Sequence, residues 1–167
     1  MLALKISDLK DFTNKLFIGN VFDHFWLNSA DISTYNLFSI DGKLQKDFFD
    51  TEQQEILDST HRIYSLWAEV KPYCHFIIRG KRPPLYFKIV FQLSSKKAKT
   101  LIEREAPGLP VDSLRGLYLN LQYKNKTLLC TTGTSFYTFV QDKQLEQLWD
   151  HTVLDFFHQN QILFEEL

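Results

Sequence analysis

Residues 85–108, LYFKIVFQLSSKKAKTLIEREAPG, decide the fold. Leu85, Phe87, Ile89, Phe91 and Leu93 alternate with Tyr86, Lys88, Val90 and Gln92, a period-two pattern that predicts a strand with one face in a core. Ser94 or Ser95 can then cap a helix in which Ala98, Leu101 and Ile102 share a side, with Ala106-Pro107-Gly108 as its stop. The same order opens the chain, where Leu2 and Leu4 lead into Leu9, Phe12 and Leu16 before Gly19. Placing residue 2 over 91 pairs Leu4 with Leu93, Lys10 with Lys99, Lys15 with Arg104 and Gly19 with Gly108. A duplicated strand-helix unit is the expectation.

Working outward, Leu2 to Ile6 reads as a strand and Ser7 as the cap of a helix to about Phe17. Val21 to Asn28 and Ile32 to Ile40 read as aromatic-rich strands joined through Asn28-Ser29-Ala30-Asp31, and Asp41-Gly42 as a tight turn before a strand from Lys43 to Phe49. Asp50 to Ser59 reads as a loop or a short helix. Ile63 to Val70 and Tyr73 to Ile78 read as extended chain bent at Lys71-Pro72, because proline cannot donate to a ladder. Gly80 to Pro84 is a turn. Leu117, Leu119, Leu121 and Tyr123 start a hairpin that turns at Lys124-Asn125-Lys126 and returns through Thr127 to Thr132, and Gly133 to Val140 adds a strand. Asp142 then caps a helix to about Asn160, with Leu145, Trp149, Thr152 and Phe156 along one side.

Strands joined by short turns make antiparallel sheet, so the expected class is α+β, with three helices and a largely antiparallel sheet. The chain reads as a single domain, 1–167, with pseudo-repeats at about 1–49 and 85–140, a middle insertion at about 50–84 and a closing helix at about 142–160. The order β-α-β-β-β, stated twice, resembles one domain of a DNA sliding-clamp subunit, which implies two such units side by side with both helices on one face. The stretches LALKISDLKDF (2–12) and TYNLFSIDGKLQKDFF (34–49), together with the length, look like an uncharacterised family of short bacterial proteins of no assigned function. That likeness implies no catalytic residues.

Composition bounds the function class. Hydrophobic residues at 44% beside 23% charged residues are those of an ordinary globular chain. Fifteen Phe, seven Tyr and three Trp favour a sheet-rich core, because large rings pack well on a pleated surface. The opening Met1 to Asp8 lacks the apolar core of a secretory signal, and no apolar run approaches the roughly 20 residues that cross a bilayer, so a cytoplasmic protein without membrane contact is expected. Cys74 and Cys130 stand far apart outside any C-x-x-C arrangement and read as packed hydrophobes.

The net charge of −1 provides no global field toward nucleic acid, yet the charge is unevenly placed. Lys71 to Arg104 holds nine basic residues against Glu103 alone, whereas Asp41 to Thr60 holds six acids against two lysines. Arg79, Lys81 and Arg82 occupy a turn flanked by Tyr73, Phe76, Tyr86 and Phe87, and nucleic-acid binders combine such cations with rings on which bases stack. Lys88, Lys97 and Arg104 extend the candidate set. The leading expectation is a non-catalytic binding module for nucleic acid or an acidic protein surface. An enzyme or small-ligand binder using His24, Asp31, His61 or His75 is the alternative, and a homo-oligomer marked by an open sheet edge is a third.

Other constellations carry less. His151, Asp155 and His158 share one helix side without a fourth ligand, and Asp41, Asp47 and Asp50 have no fixed geometry, so no metal or cofactor is expected. Asp23-His24 and Cys74-His75 would point apart in a strand and form no acid-base or nucleophile pair. Thr131 to Ser135 reads as a hydroxyl-rich turn closing a hairpin.

Overall fold

A computed structural model describes residues 1–167. Leu4 and Ile6 point inward from β1 (Ala3–Ile6). Asp8 rather than Ser7 caps α1 (Leu9–Phe17), accepting from the Asp11 amide at 3.0 Å, and Phe12, Leu16 and Phe17 form the helix's buried side. The next stretch departs from expectation. Asn20 to Phe25 is a series of turns, not a strand, which lets Phe22 and Phe25 both enter the core. β2 (Trp26–Ser33) and β3 (Leu37–Asp41) follow, so Asn28 to Asp31 lies inside a strand and the hairpin turn is Thr34-Tyr35-Asn36.

Lys43 to Phe49 forms no strand. Lys43 makes a single bridge to Tyr64, and one 3₁₀ turn covers Lys46–Phe48. α2 (Thr51–Ser59) is a helix because Asp50 and Gln53 cap reciprocally: Gln53 N donates to Asp50 Oδ1 at 2.8 Å, and Asp50 N to Gln53 Oε1 at 3.1 Å. It has no buried residue.

The largest correction follows β4 (Ser65–Leu66). The segment expected to be extended is α3 (Trp67–Ile78), with Pro72 inside it. Proline removes one helical donor, at a cost of about 3 kcal/mol, but Trp67 and Cys74 are fully buried and Val70, Ile77 and Ile78 pack against the core. Burial of large side chains at roughly 1.5–3 kcal/mol each outweighs that loss.

β5 (Tyr86–Gln92) and α4 (Ser95–Glu105) match the founding stretch, with Ser94 as the cap and Phe87, Ile89 and Phe91 buried. A 3₁₀ turn at Val111–Ser113 leads into β6 (Leu114–Lys124) and β7 (Thr127–Phe136). Asn125 and Lys126 take φ of 51° and 59°, which gives the hairpin its two-residue turn. Gly133 to Val140 is not a separate strand, because Gly133 continues β7 opposite Tyr118. α5 (Gln144–Gln159) buries Leu145, Trp149, Val153 and Phe157, one residue further round than expected in its second half. β8 (Phe164–Glu166) closes the chain.

The sheet runs β3-β2-β5-β6-β7-β1-β8, antiparallel throughout, and β4 pairs the outer edge of β2 beyond β3. One face carries Leu4, Leu27, Ile32, Ile89, Leu119 and Leu121 into a single core cluster with α1, α3, α4 and α5. The other face presents Lys88, Gln122 and Lys124 to water. There are five helices, not three. The duplication is not reproduced either: β5 and β6, joined by α4, are neighbours, whereas β1 and β2, joined by α1, have three strands between them. No helix is long and apolar enough to cross a membrane.

Candidate functional site

Arg79 ends α3, its amide donating to His75 O at 2.9 Å. Gly80 follows at φ 141°, a conformation side-chain-bearing residues rarely adopt, and it swings Lys81 to Pro84 back toward the sheet, where Leu85 N donates to Ser33 O at 2.9 Å. That docking sets the turn against Thr34 and Tyr35. Together Arg79, Lys81, Arg82, Thr34, Tyr35 and Leu85 surround an open cavity of about 470 Å³. The Thr34 hydroxyl is shielded from solvent without a hydrogen-bond partner.

The electrostatics of this turn are one-sided. Arg79, Lys81 and Arg82 are exposed, and none lies within ion-pair distance of a carboxylate. The Arg79 guanidinium lies 4.4 Å above the Phe76 ring, an arrangement that holds the side chain without neutralising it. Tyr35 is 87% exposed and Phe76 65%. Phe87, by contrast, is a core residue. On the far side of Arg79 a second cavity, of about 530 Å³, lies between α1 and α3 and is lined by Lys10, Asp11, Asn14 and His75.

The other candidates lie elsewhere. Lys88 stands on the solvent face of the sheet, opposite Asp31 on β2 and Gln122 on β6. Lys97 and Arg104 line a groove of about 640 Å³ between α4 and α5, and Arg104 is bonded to Glu105 at 2.7 Å. Lys71 leaves the basic set altogether: its ammonium donates to Asp23 and to Gly19 O, both at 2.6 Å, in a largely buried pair. Six positions chosen from one sequence block therefore occupy three surfaces, and only Arg79, Lys81 and Arg82 converge.

The alternative chemistries do not assemble. His75 lines the α1/α3 cavity, His24 a small cavity beside Phe25 and Phe156, Asp31 the solvent face, and His61 an exposed turn after α2. Cys74 and His75 are consecutive in a helix, not a strand, and Cys74 is fully buried while His75 is not. His151 and Asp155 approach to 3.5 Å on the exposed side of α5, and no group of three potential ligands gathers at metal-binding distance. Thr131 to Ser135 lies within β7, and Thr132 Oγ1 accepts from Leu2 N at 2.8 Å and donates to Asp150, beside a cavity lined by Glu146. Carboxylates there oppose an anion.

Burial pushes the Cys74 thiol up to about 12 and raises that of Cys130 as well. At pH 8 a thiol of that pKa is thiolate in only about one molecule in ten thousand. Native protein is expected to leave both cysteines unmodified by iodoacetamide, and unfolded protein to react at both; rapid native labelling, read by mass spectrometry, would contradict the burial.

The sequence conceals Thr34 and Tyr35, because the apolar residues from Ile32 to Ile40 read as one strand whereas the structure turns the chain at Thr34-Tyr35-Asn36. Ser33, Thr34 and Asn36 are nevertheless turn-forming types within four residues. A family model, the family of unknown function DUF5721, matches residues 15–165. The chain belongs to that family. The match runs from the second half of α1 into β8 and includes the whole basic turn and the cavity it shares with Thr34 and Tyr35, whereas Lys10, Asp11 and Asn14 of the second cavity lie before it. No curated protein and no solved structure matches the chain, and no similarity to a sliding clamp is shown.

Proposed function

We propose that this member of the family is a non-catalytic binding module that holds single-stranded nucleic acid at the basic turn. Arg79, Lys81 and Arg82 contact phosphates, and Tyr35 and Phe76 offer faces on which bases stack. The observation that carries this reading is the convergence of three exposed cations without carboxylate partners around one open cavity, with the exposed Tyr35 ring in its lining and the exposed Phe76 ring against Arg79. Lys88, Lys97 and Arg104 add little to a ligand seated there, because they lie on other surfaces.

The test is a salt titration of binding to labelled single-stranded and duplex oligonucleotides, followed by fluorescence anisotropy. Replacing Arg79, Lys81 and Arg82 together by Gln is expected to weaken single-strand binding at least tenfold and to reduce the log-log salt slope by about 2, the value for three lost phosphate contacts. No binding at low salt, or an unchanged slope in the triple variant, overturns the reading. Tighter binding to duplex than to single strands removes the stacking role of Tyr35 and Phe76.

A further inference from the structure

The two edges of the sheet are treated differently. β8 is three residues long, and two of them are Glu165 and Glu166, which keeps another strand from pairing with it. β3 is five residues long, and Leu37, Phe38, Ser39 and Ile40 contain no charge and no proline, with no bulge in the register. Leu37 is 65% exposed on this edge. An edge uncharged from Leu37 to Ile40 and otherwise unprotected is a template for another strand.

The ends of β3 also differ in charge. At Leu37 the strand emerges from the Thr34-Tyr35-Asn36 turn, beside Arg79, Lys81 and Arg82. At Asp41 it runs into the excursion through α2, where Asp41, Asp47, Asp50, Glu52, Glu55 and Asp58 outnumber Lys43 and Lys46. That excursion exposes Phe48 almost fully and buries no residue of α2. We infer that β3 pairs antiparallel with β3 of a second copy of this chain across a two-fold axis. Antiparallel pairing sets the basic end of each copy against the acidic end of the other, whereas parallel pairing would place like charges together. Pairing the whole strand symmetrically puts Ser39 on the axis, Leu37 opposite Asp41 of the partner subunit, and joins the two sheets into one. The second copy is favoured over pairing of β3 with a β8 edge, whose glutamates would meet no cation on β3.

Ser39 is exposed, so a charge there leaves the fold of one chain intact. Sedimentation velocity of the wild-type chain is expected to show the mass of two chains. Ser39→Lys and Ser39→Glu each set two like charges face to face on the axis, and each is expected to raise the dimer dissociation constant at least tenfold, while an equimolar mixture of the two restores the two-chain mass. A wild-type chain that stays at the mass of one chain up to about 100 µM, the range of weak association, overturns the inference; so does a Ser39→Lys chain as dimeric as wild type. Both variants keep Arg79, Lys81 and Arg82, so oligonucleotide binding by them is read separately and either proposal can fail alone.

Discussion

Replacing Trp67 with alanine is expected to lower the unfolding free energy by about 3–5 kcal/mol, much of what a domain of this size has. Trp67 is fully buried at the start of α3, with its ring 5.2 Å from Phe91 of β5 and 6.0 Å from Phe17 of α1. Its indole N–H donates to Leu16 O at 2.8 Å, and its amide donates to Phe25 O at 2.9 Å. One side chain thus joins α1, α3 and the sheet, and it also satisfies a carbonyl in the last turn of α1, where helical partners run out. Alanine removes the ring, leaves a cavity between elements that cannot close upon one another, and orphans the Leu16 carbonyl. Trp67→Phe separates the two effects: it keeps most of the packing and loses the hydrogen bond, for an expected cost of roughly 1–3 kcal/mol. Urea denaturation measures both, with the midpoint falling and the slope unchanged. An alanine variant within about 1 kcal/mol of wild type would remove Trp67 from its place as the junction of the core.

The second large effect is at Gly42. A Cβ there would lie 1.7 Å from Leu27 O and 2.6 Å from Leu27 C, and both are backbone atoms of β2 that no side-chain rotation can move aside. The close approach is held by Gly42 N donating to Asn28 O at 3.0 Å and by Ser65 N donating to Gly42 O at 2.8 Å, which bind the return of the α2 excursion to the sheet. Gly42→Ala must break this seam, at an expected cost of about 3–5 kcal/mol, the upper range of single substitutions. Amide exchange is expected to accelerate from Gly42 to Ser65 while β5 and β6 keep their protection relative to global unfolding. Gly133→Ala is the control, since its Cβ would meet nothing nearer than 3.8 Å, and it should fall within about 1 kcal/mol of wild type. Equal stability of the Gly42 and Gly133 variants would show that the close contact at Leu27 is not what requires glycine at 42.

Gly42 also shows where sequence reading stops. Asp41-Gly42 has the residue types of a tight turn, but the glycine is there because another backbone passes beside it, and that neighbour lies fifteen residues earlier. Pro72 shows a similar limit. A proline in an apolar run argues against a central strand and against a helix, and the decision for helix came from Trp67 and Cys74 meeting the core on one side. The spacing of Trp67, Val70, Cys74 and Ile77 was the legible sign.

The candidate site was half legible for a related reason. Arg79, Lys81 and Arg82 could be singled out because they are close in sequence within a turn, where local chemistry governs conformation. Thr34 and Tyr35 reach the same cavity from the β2-β3 hairpin, through the pairing of β2 with β5. Lys88, Lys97 and Arg104 were separated from it because a strand and a helix turn neighbouring side chains toward different surfaces.

By itself the sequence determined what short-range periodicity and capping encode: the alternation of β5, a serine cap at 94 or 95 and the apolar side of α4, the β6-β7 hairpin, the α+β class, and the uneven charge along the chain. Tertiary structure alone decided that three strands lie between β1 and β2, that α3 is helical through a proline, and that one edge of the sheet is left open between a basic and an acidic end. The physical reason is that strand neighbours and buried faces are chosen by contacts between distant segments, whose burial energy exceeds the local preferences from which a sequence is read.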